Sequence, residues 1–270
     1  MAIKTKKASE WIAANGAAIA NAAKDSLFVT ANGAAIAKAS QAQMLEYVKN
    51  NLTPLQDGVY IGKQQRESWG NYFRIEPWQT TQIGIAKADA DAIVIQYGGY
   101  RLGISLDEPA ALSWGSKADS GANGTTASIG YQQSSDLNTF DGLARTNAIM
   151  KSTFFKDDDP ATYAVAYAHA YKKGHTGDPG GDTEIKAGSW YLPTMGDLAL
   201  IHQHFETINL ALQRIKNAGK QSVSLLQRTR YWSCMELSGS GAWYLQFSNG
   251  GRGTNTKLTY KTHVRPVTAF

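Results

Sequence analysis

The residue types that carry chemistry are few in this sequence, and their spacing is poor for it. Cys234 is the sole cysteine. No disulfide can form within the chain, and two-thiol chemistry is out of reach. Nothing beside Cys234 would lower its pKa, so an inert, buried thiol is expected. The five histidines are His169, His175, His202, His204 and His263. They form no His-Glu-x-x-His pattern and have no cysteines to complete a zinc site. His202 and His204, two apart, fall on different faces of a helix, and both are expected at the surface. The acidic run "KDDDP" (156–160) lacks the alternating ligands and closing Glu of a calcium loop, so it reads as a solvated turn. Asp178, Asp182 and Glu184 in "HTGDPGGDTE" read the same way, as a plain loop. Neither GxxxxGK[ST] nor GxGxxG, the phosphate-cradling patterns, occurs. The expectation is a binding protein with no catalytic residues, no cofactor and no bound metal.

Composition narrows the class. The chain has 270 residues, 43% of them hydrophobic, which suffices for one sizeable core or two smaller ones. Seven Trp and thirteen Tyr suit an aromatic-filled core or a binding surface. The net charge of +5 is scattered, with no run of five basic residues, so nucleic acid is not an expected partner. The start, "MAIKTKKASEW", is basic, but no apolar segment of a signal peptide follows it. No stretch of about 20 apolar residues is present to span a bilayer. Synthesis in a reducing cytosol, without a signal peptide and without membrane insertion, is expected. Action outside a cell would need another route.

A binding surface must be held by ordered elements, and three regions are legible. In residues 1–52 "ANGAAIANA" (14–22) returns as "ANGAAIAKA" (31–39). Alanine favours helix, while Gly16 and Gly33 weaken each copy by about 1 kcal/mol. Two copies are too few for a solenoid. A small helical hairpin and a multi-chain bundle for attachment to an assembly both remain open. The bundle would make the protein a homo-oligomer, a trimer in the leading version. Met44, Leu45 and Val48 add a helical stripe that ends at Asn50, Asn51 and Pro54. Residues 53–85 mix strand-like pieces and turns, and read as a connector or small β element. A boundary is placed near Ala86.

Residues 86–270 have an α+β pattern. "DAIVIQYGGYRLGISL" (91–106) is a strand, a Gly98-Gly99 turn and a second strand. "ATYAVAYAHAYKKG" suits a helix with Ala164, Tyr167, Ala168 and Tyr171 on one side. "LPTMGDLALIHQHFETINLALQRIKNAG" predicts one long helix. Thr194 caps it with Asp197 as the acidic member of a capping box. Leu198, Ile201, Phe205, Ile208, Leu212 and Ile215 form its core stripe, and Gly219 stops it. In "AWYLQFSNG" the alternation sends Trp243, Leu245 and Phe247 inward and Tyr244, Gln246 and Ser248 outward. "NGG" turns the chain. "THVRPVTAF" returns as a final strand with Val264 and Val267 as its apolar content, and Pro266 suits an edge or bulge.

Between those strands, residues 249–263 are polar and mixed. Tyr, Ser, Gly, Asn and Thr are the vocabulary of adaptable binding surfaces, and flanking strands would hold them on a rigid frame. The residues expected to bind ligand are Tyr244, Gln246, Ser248, Gly251, Arg252, Gly253, Thr254, Asn255, Thr256, Leu258, Thr259 and Tyr260. Trp232, Trp243, Phe247 and Arg265 are assigned to the scaffold.

The tail carries a resemblance. Tyr231-Trp232-Ser233 with Glu236, Ala242-Trp243-Tyr244, Phe247 with Asn249-Gly250, and Val264-Arg265-Pro266 resemble the variable end of C-type-lectin-fold proteins diversified by retroelements. Upstream, "FDGLARTNAIM" (140–150) and "SWYLPTMGDLALI" (189–201) look like two further family segments, with Asp197 where the family has Glu. The resemblance covers about 140–270 and leaves residues 1–85 outside. Cys234 and Met235 depart from the family's Ser-Thr. In the family, adenine-directed diversification does not generate Lys, Gln, Trp, Met or Glu from Asn-type codons. Within 249–263 only Lys257 and Lys261 lie outside that set, and Gln246 lies outside it just before.

The resemblance implies a C-type lectin fold over residues 86–270 that displays a changeable ligand-binding face. It further implies a receptor-binding protein of a phage tail, located in the virion and made in the host cytoplasm. The partners would be a host cell-surface protein or glycan and, through residues 1–52, other tail proteins. Oligomerisation would add avidity to weak single contacts. A cell-encoded surface adhesin and a non-binding structural tail protein are the alternatives. Calcium-dependent sugar binding is not expected, because "DEPA" (107–110) and "IEPW" (75–78) do not match the lectin motifs. The formylglycine-generating enzymes share the fold but use a cysteine pair, which one cysteine cannot supply.

Overall fold

The computed structural model describes residues 56–67, 70–79, 89–116, 138–171, 189–220 and 222–269. The Ala-rich repeats, the Met44–Val48 stripe, the boundary near Ala86 and "HTGDPGGDTE" lie outside these residues. The described residues form an α+β structure with mostly antiparallel sheets and four helices.

The largest sheet has five strands: β1 (Gly58–Glu67), β2 (Gly70–Pro77), β3 (Ala92–Tyr97), β4 (Tyr100–Ser105) and β10 (Val267–Ala269), ordered β10-β4-β3-β1-β2. Its β3–β4 hairpin turns at Gly98 and Gly99, with φ of +53° and +89°. Two consecutive positive φ values are what a tight hairpin turn of this hand needs, and only glycine adopts them without strain. In β3, Ala92, Ile93, Val94 and Ile95 are all fully buried. A central strand covered on both faces reads as a continuous apolar run, which is how this one is written. The β1–β2 hairpin is not separate from this sheet. Val59 and Ile61 of β1 are buried, and β1 pairs directly with β3.

Two smaller sheets complete the strands. β5 (Leu112–Ser113) pairs with β9 (Lys261–Thr262), and β6 (Arg230–Glu236), β7 (Gly241–Gln246) and β8 (Gly251–Thr256) lie in that order. The final strand predicted from "THVRPVTAF" is split between two sheets. Lys261 and Thr262 pair with β5, and Val267 crosses to Ile104 and is bridged to Tyr191. Pro266 stands just before β10, where its carbonyl accepts from the Ser105 amide at 3.0 Å.

The helices are α1 (Gly142–Lys151), α2 (Ala164–Ala170), α3 (Met195–Gln203) and α4 (Phe205–Asn217). Ala164 and Ala168 of α2 are fully buried. The capping box of α3 is complete: Thr194 Oγ1 accepts from the Asp197 amide at 3.0 Å, and Asp197 Oδ2 accepts from the Thr194 amide at 2.9 Å. One long helix was expected over α3 and α4; the chain instead breaks at His204 (φ −103°, ψ 14°). The apolar stripe runs through the break unchanged, with Leu198, Ile201, Ile208, Leu212 and Ile215 at 0% exposure. Spacing alone therefore could not reveal it. Gly219, at φ +98°, ends α4 as expected.

Three tryptophans, Trp114, Trp190 and Trp232, are wholly buried. Two of them tie β5 to β6. Trp114 Nε1 donates to the Ser233 carbonyl at 2.7 Å, and Trp232 Nε1 donates to the Leu112 carbonyl at 3.0 Å. Satisfying both indoles lets these large rings be buried without an unpaired donor.

Candidate ligand-binding face

The β6–β7–β8 sheet sorts the expected site residues by parity. Arg230 pairs with Gln246 and Trp232 with Tyr244; Tyr244 in turn pairs with Gly253 and Gln246 with Gly251. Side chains opposite one another share a face. Arg230, Trp232, Tyr244, Gln246 and Asn255 therefore lie on one face, with Gly251 and Gly253. Tyr231, Trp243, Leu245, Arg252, Thr254 and Thr256 lie on the other. Along β8, Arg252, Thr254 and Thr256 are exposed, while Gly251, Gly253 and Asn255 are half-buried. The expected residues thus form two groups. Ser248 sits exposed in the β7–β8 turn, where Gly250 takes φ +71°. Leu258 and Thr259 are exposed in the turn after β8, with Leu258 at 40%, and the Thr256 and Thr259 hydroxyls are 2.6 Å apart.

On the first face the side chains form a cluster. The Arg230 guanidinium lies 4.9 Å from the Tyr244 ring centroid and 5.4 Å from that of Tyr260. Its Nε donates to Gln246 Oε1 at 3.1 Å, its Nη1 donates to the Tyr260 hydroxyl, and Gln246 Nε2 donates to Ser248 Oγ at 3.0 Å. The hydroxyl end of the Tyr244 ring lies over Gly253. A Cβ there would stand 2.5 Å from the Tyr244 hydroxyl oxygen. Trp232 backs the cluster, with its ring 6.3 Å from both Tyr244 and Tyr260. Arg230 was not among the expected residues. Its sequence signal was available: it immediately precedes the Tyr231-Trp232 motif, two positions before the buried Trp232, so it shares that face.

Beneath these side chains lies a frame with its own charges. Arg265 is fully buried; its guanidinium pairs with Glu108 at 3.0 Å and donates to the Ser105 and Ser224 carbonyls. Glu108 also accepts from the Tyr231 hydroxyl at 3.0 Å and stands 3.0 Å from His263 Nδ1. Lys257, inside the polar 249–263 run, is fully buried and paired with Glu236, with its ammonium 4.7 Å from the Trp114 ring centroid. Burial holds the Lys257 ammonium below its ordinary pKa, against the upward pull of Glu236. Trp232, Phe247 and Arg265 serve the scaffold as expected. Trp243 does not go fully inward. It is half-buried, since its β8 partner Thr254 is exposed and so is the edge beside it.

The candidate chemistry is likewise located. Cys234 is buried, and burial raises its thiol pKa well above the usual value. His202 and His204 are half-buried rather than at the surface. The break at His204 sets the His202 and Phe205 rings edge-on to Phe247, at 5.6 and 6.0 Å. In "KDDDP", Asp159 accepts from the Ala161 amide and the Thr162 hydroxyl, and Asp158 accepts from the Ser116 amide at 2.9 Å. These carboxylates shape a turn. Among the described residues no group of three or more His, Cys, Asp or Glu is placed to hold a metal ion.

These features define an α+β protein with mostly antiparallel sheets and a polar, hairpin-borne face near its C-terminus. No protein-family model matches the sequence, and no curated protein matches it. Among solved structures the chain is similar to a fimbrial protein from Bacteroides ovatus ATCC 8483, with a TM-score of 0.53 and 14% identity. The match covers 80% of this chain and 49% of that one, so the chain spans about half the length of that structure. At this identity the likeness is one of fold.

Proposed function

We propose that this chain is a non-enzymatic attachment protein. In this reading residues 86–270 form a module of C-type-lectin type whose face on β7, β8 and the following turn binds a protein or glycan on a host cell surface. Residues 1–52 join the protein, as a homo-oligomer, to a larger assembly. In its most specific form the assembly is a phage tail and the protein is the receptor-binding component of the virion.

The observation that carries the proposal is the division within 249–263. Lys257 and Thr262 are buried anchors, while Arg252, Thr254 and Thr256 project ahead of them and Leu258 and Thr259 project between them. A chain that fixes its polar run so firmly, yet leaves alternate side chains in solvent, has the form of a preorganised recognition surface. The test uses the full-length protein, fluorescently labelled, on whole bacteria. A variant with Arg252, Thr254, Thr256 and Thr259 all changed to Ala should melt within a few degrees of the parent and lose surface binding. Equal binding by parent and variant, or no binding by the parent to any surface tried, would sink the proposal.

A second reading, an adhesive subunit of a bacterial surface fibre, draws support from the fold likeness to the fimbrial protein. Immunogold labelling separates the two: gold on purified virions favours the first, gold on cell-surface fibres the second.

A further inference from the structure

Among the described residues, Arg230 is held by neutral groups. Two tyrosine rings flank its guanidinium, a side-chain amide takes Nε, and a phenol takes Nη1. Among the described residues Nη2 has no hydrogen-bond partner and no carboxylate pairs with Arg230. The two wholly buried cations of the tail are treated otherwise: Lys257 has Glu236, and Arg265 has Glu108. Arg230 is therefore a fixed, partly dehydrated charge for which the described residues supply no counter-ion. Rings on its flanks reduce its hydration, and neutral partners do not replace an anion. They do hold the planar fork still, so an incoming anion would find it already oriented.

We infer that Arg230 anchors a subsite for a carboxylate-bearing sugar on the face of the β6–β7–β8 sheet opposite Arg252, Thr254 and Thr256, an inference that rests on the attachment reading above but adds a second contact area to it. The unpartnered Nη2 can donate a charge-assisted hydrogen bond to a carboxylate. Beside it the hydrogen-bonded Gln246 amide and Ser248 hydroxyl offer donors and acceptors for ring hydroxyls. Tyr244 and Tyr260 supply flat apolar area at low entropic cost, which suits the C–H face of a pyranose. An acidic peptide adding to a sheet edge would make its main contacts through backbone, not through this cluster.

The test prints sialic-acid- and hexuronic-acid-terminated glycans beside the same glycans with the carboxylate converted to a primary amide, together with sulfated counterparts and Glu-rich peptides. It is probed with the full chain, Arg230→Gln and Arg230→Lys, each checked by its melting temperature. The parent should prefer carboxylated over amidated glycans by about tenfold or more, the scale of one well-made charged pair. Arg230→Gln should remove that preference. Arg230→Lys should keep part of it, since the charge stays and the fork is lost. Raising the salt should weaken carboxylated binding in the parent more than in Arg230→Gln.

Binding that ignores the carboxylate, or persists unchanged in Arg230→Gln, overturns the subsite but leaves the attachment reading standing. Preference for sulfated glycans or for Glu-rich peptides overturns the assignment to a carboxylated sugar. A parent that binds neither these probes nor whole cells overturns the attachment reading and the subsite together.

Discussion

Lys257 and Arg230 are both cations set against aromatic rings in the same tail, and the fold treats them in opposite ways. Lys257 lies 4.7 Å from the centroid of Trp114 and 5.7 Å from that of Phe155, has no solvent exposure, and is given Glu236 as a partner. Arg230 lies against Tyr244 and Tyr260, stays half-exposed, and has only neutral partners among the described residues. A charge removed entirely from water needs an acid beside it, because rings and amides cannot replace hydration. A charge left half in water can do without one, and so remains available. The difference separates frame from face more sharply than polarity does, since both residues are equally polar on paper.

Removing the acid of the buried pair should have the largest effect. Glu236→Gln leaves the Lys257 ammonium buried without a counter-ion, and should cost about 3–5 kcal/mol in urea unfolding. The double variant Glu236→Leu with Lys257→Met should recover most of that loss, because an apolar pair of similar volume needs no hydration. A single-variant cost below about 1 kcal/mol would mean that Lys257 reaches solvent, since exposed pairs contribute at most that much. Lys257 and Arg230 would then no longer differ in kind.

The frame holds another buried charge, and pH sharpens the contrast through it. Asp197 accepts from Thr194 and, at 2.8 Å, from the Tyr100 hydroxyl. Burial nevertheless pushes its carboxyl up from 3.8 to about 6. A raised carboxyl pKa means that the folded state holds its proton more tightly than the unfolded chain does. Stability from this group is therefore greatest below about pH 4 and is lost as pH rises to about 6, a change of about 3 kcal/mol. Asp197→Asn should flatten that part of the stability–pH curve and keep the cap, since the amide oxygen still accepts from the Thr194 backbone. The fourfold Ala variant of the face should leave the slope as it is. A flat curve in the parent would show that the Asp197 carboxylate is hydrated.

Much of the frame was legible in the sequence because it obeys local rules. The Thr194–Asp197 box, the stripe from Leu198 to Ile215, the Gly98-Gly99 hairpin and the Gly219 stop depend on neighbours within one or two turns. The break at His204 was hidden because the stripe keeps its period across it. Trp243 and the two histidines were misplaced for another reason: exposure depends on what lies opposite, and alternation gives only the side. The site shows the same limit. Alternation correctly placed Tyr244 and Gln246 together and puts Arg230 on the face of Trp232, but it took the cross-strand register to set Arg230 against Gln246 and to divide Arg252, Thr254 and Thr256 onto the opposite face. Lys257 has the composition of a surface residue, and only its contact with Glu236, Trp114 and Phe155 marks it as frame.

The smallest expected effect bears on the face itself. The hydroxyl end of Tyr244 can sit over Gly253 only because no Cβ is there; the added carbon of Gly253→Ala would stand 2.5 Å from its hydroxyl oxygen and 2.6 Å from Cζ. Tyr244 is half-buried and sits at the end of a flexible side chain, so it can swing aside rather than strain the strand. That loses the stacking on Arg230, at a cost of about 1 kcal/mol. Thr254→Ala, the exposed neighbour on the opposite face, should stay within about 0.5 kcal/mol of the parent. Thermal melts of the two variants beside Glu236→Gln rank the regions directly. If Gly253→Ala costs as much as breaking the buried pair, Tyr244 is holding the sheet together and Arg230 belongs to the frame. If it costs little but alters ligand binding, the cluster is poised by contacts weak enough to yield to a partner, which is what separates it from Lys257.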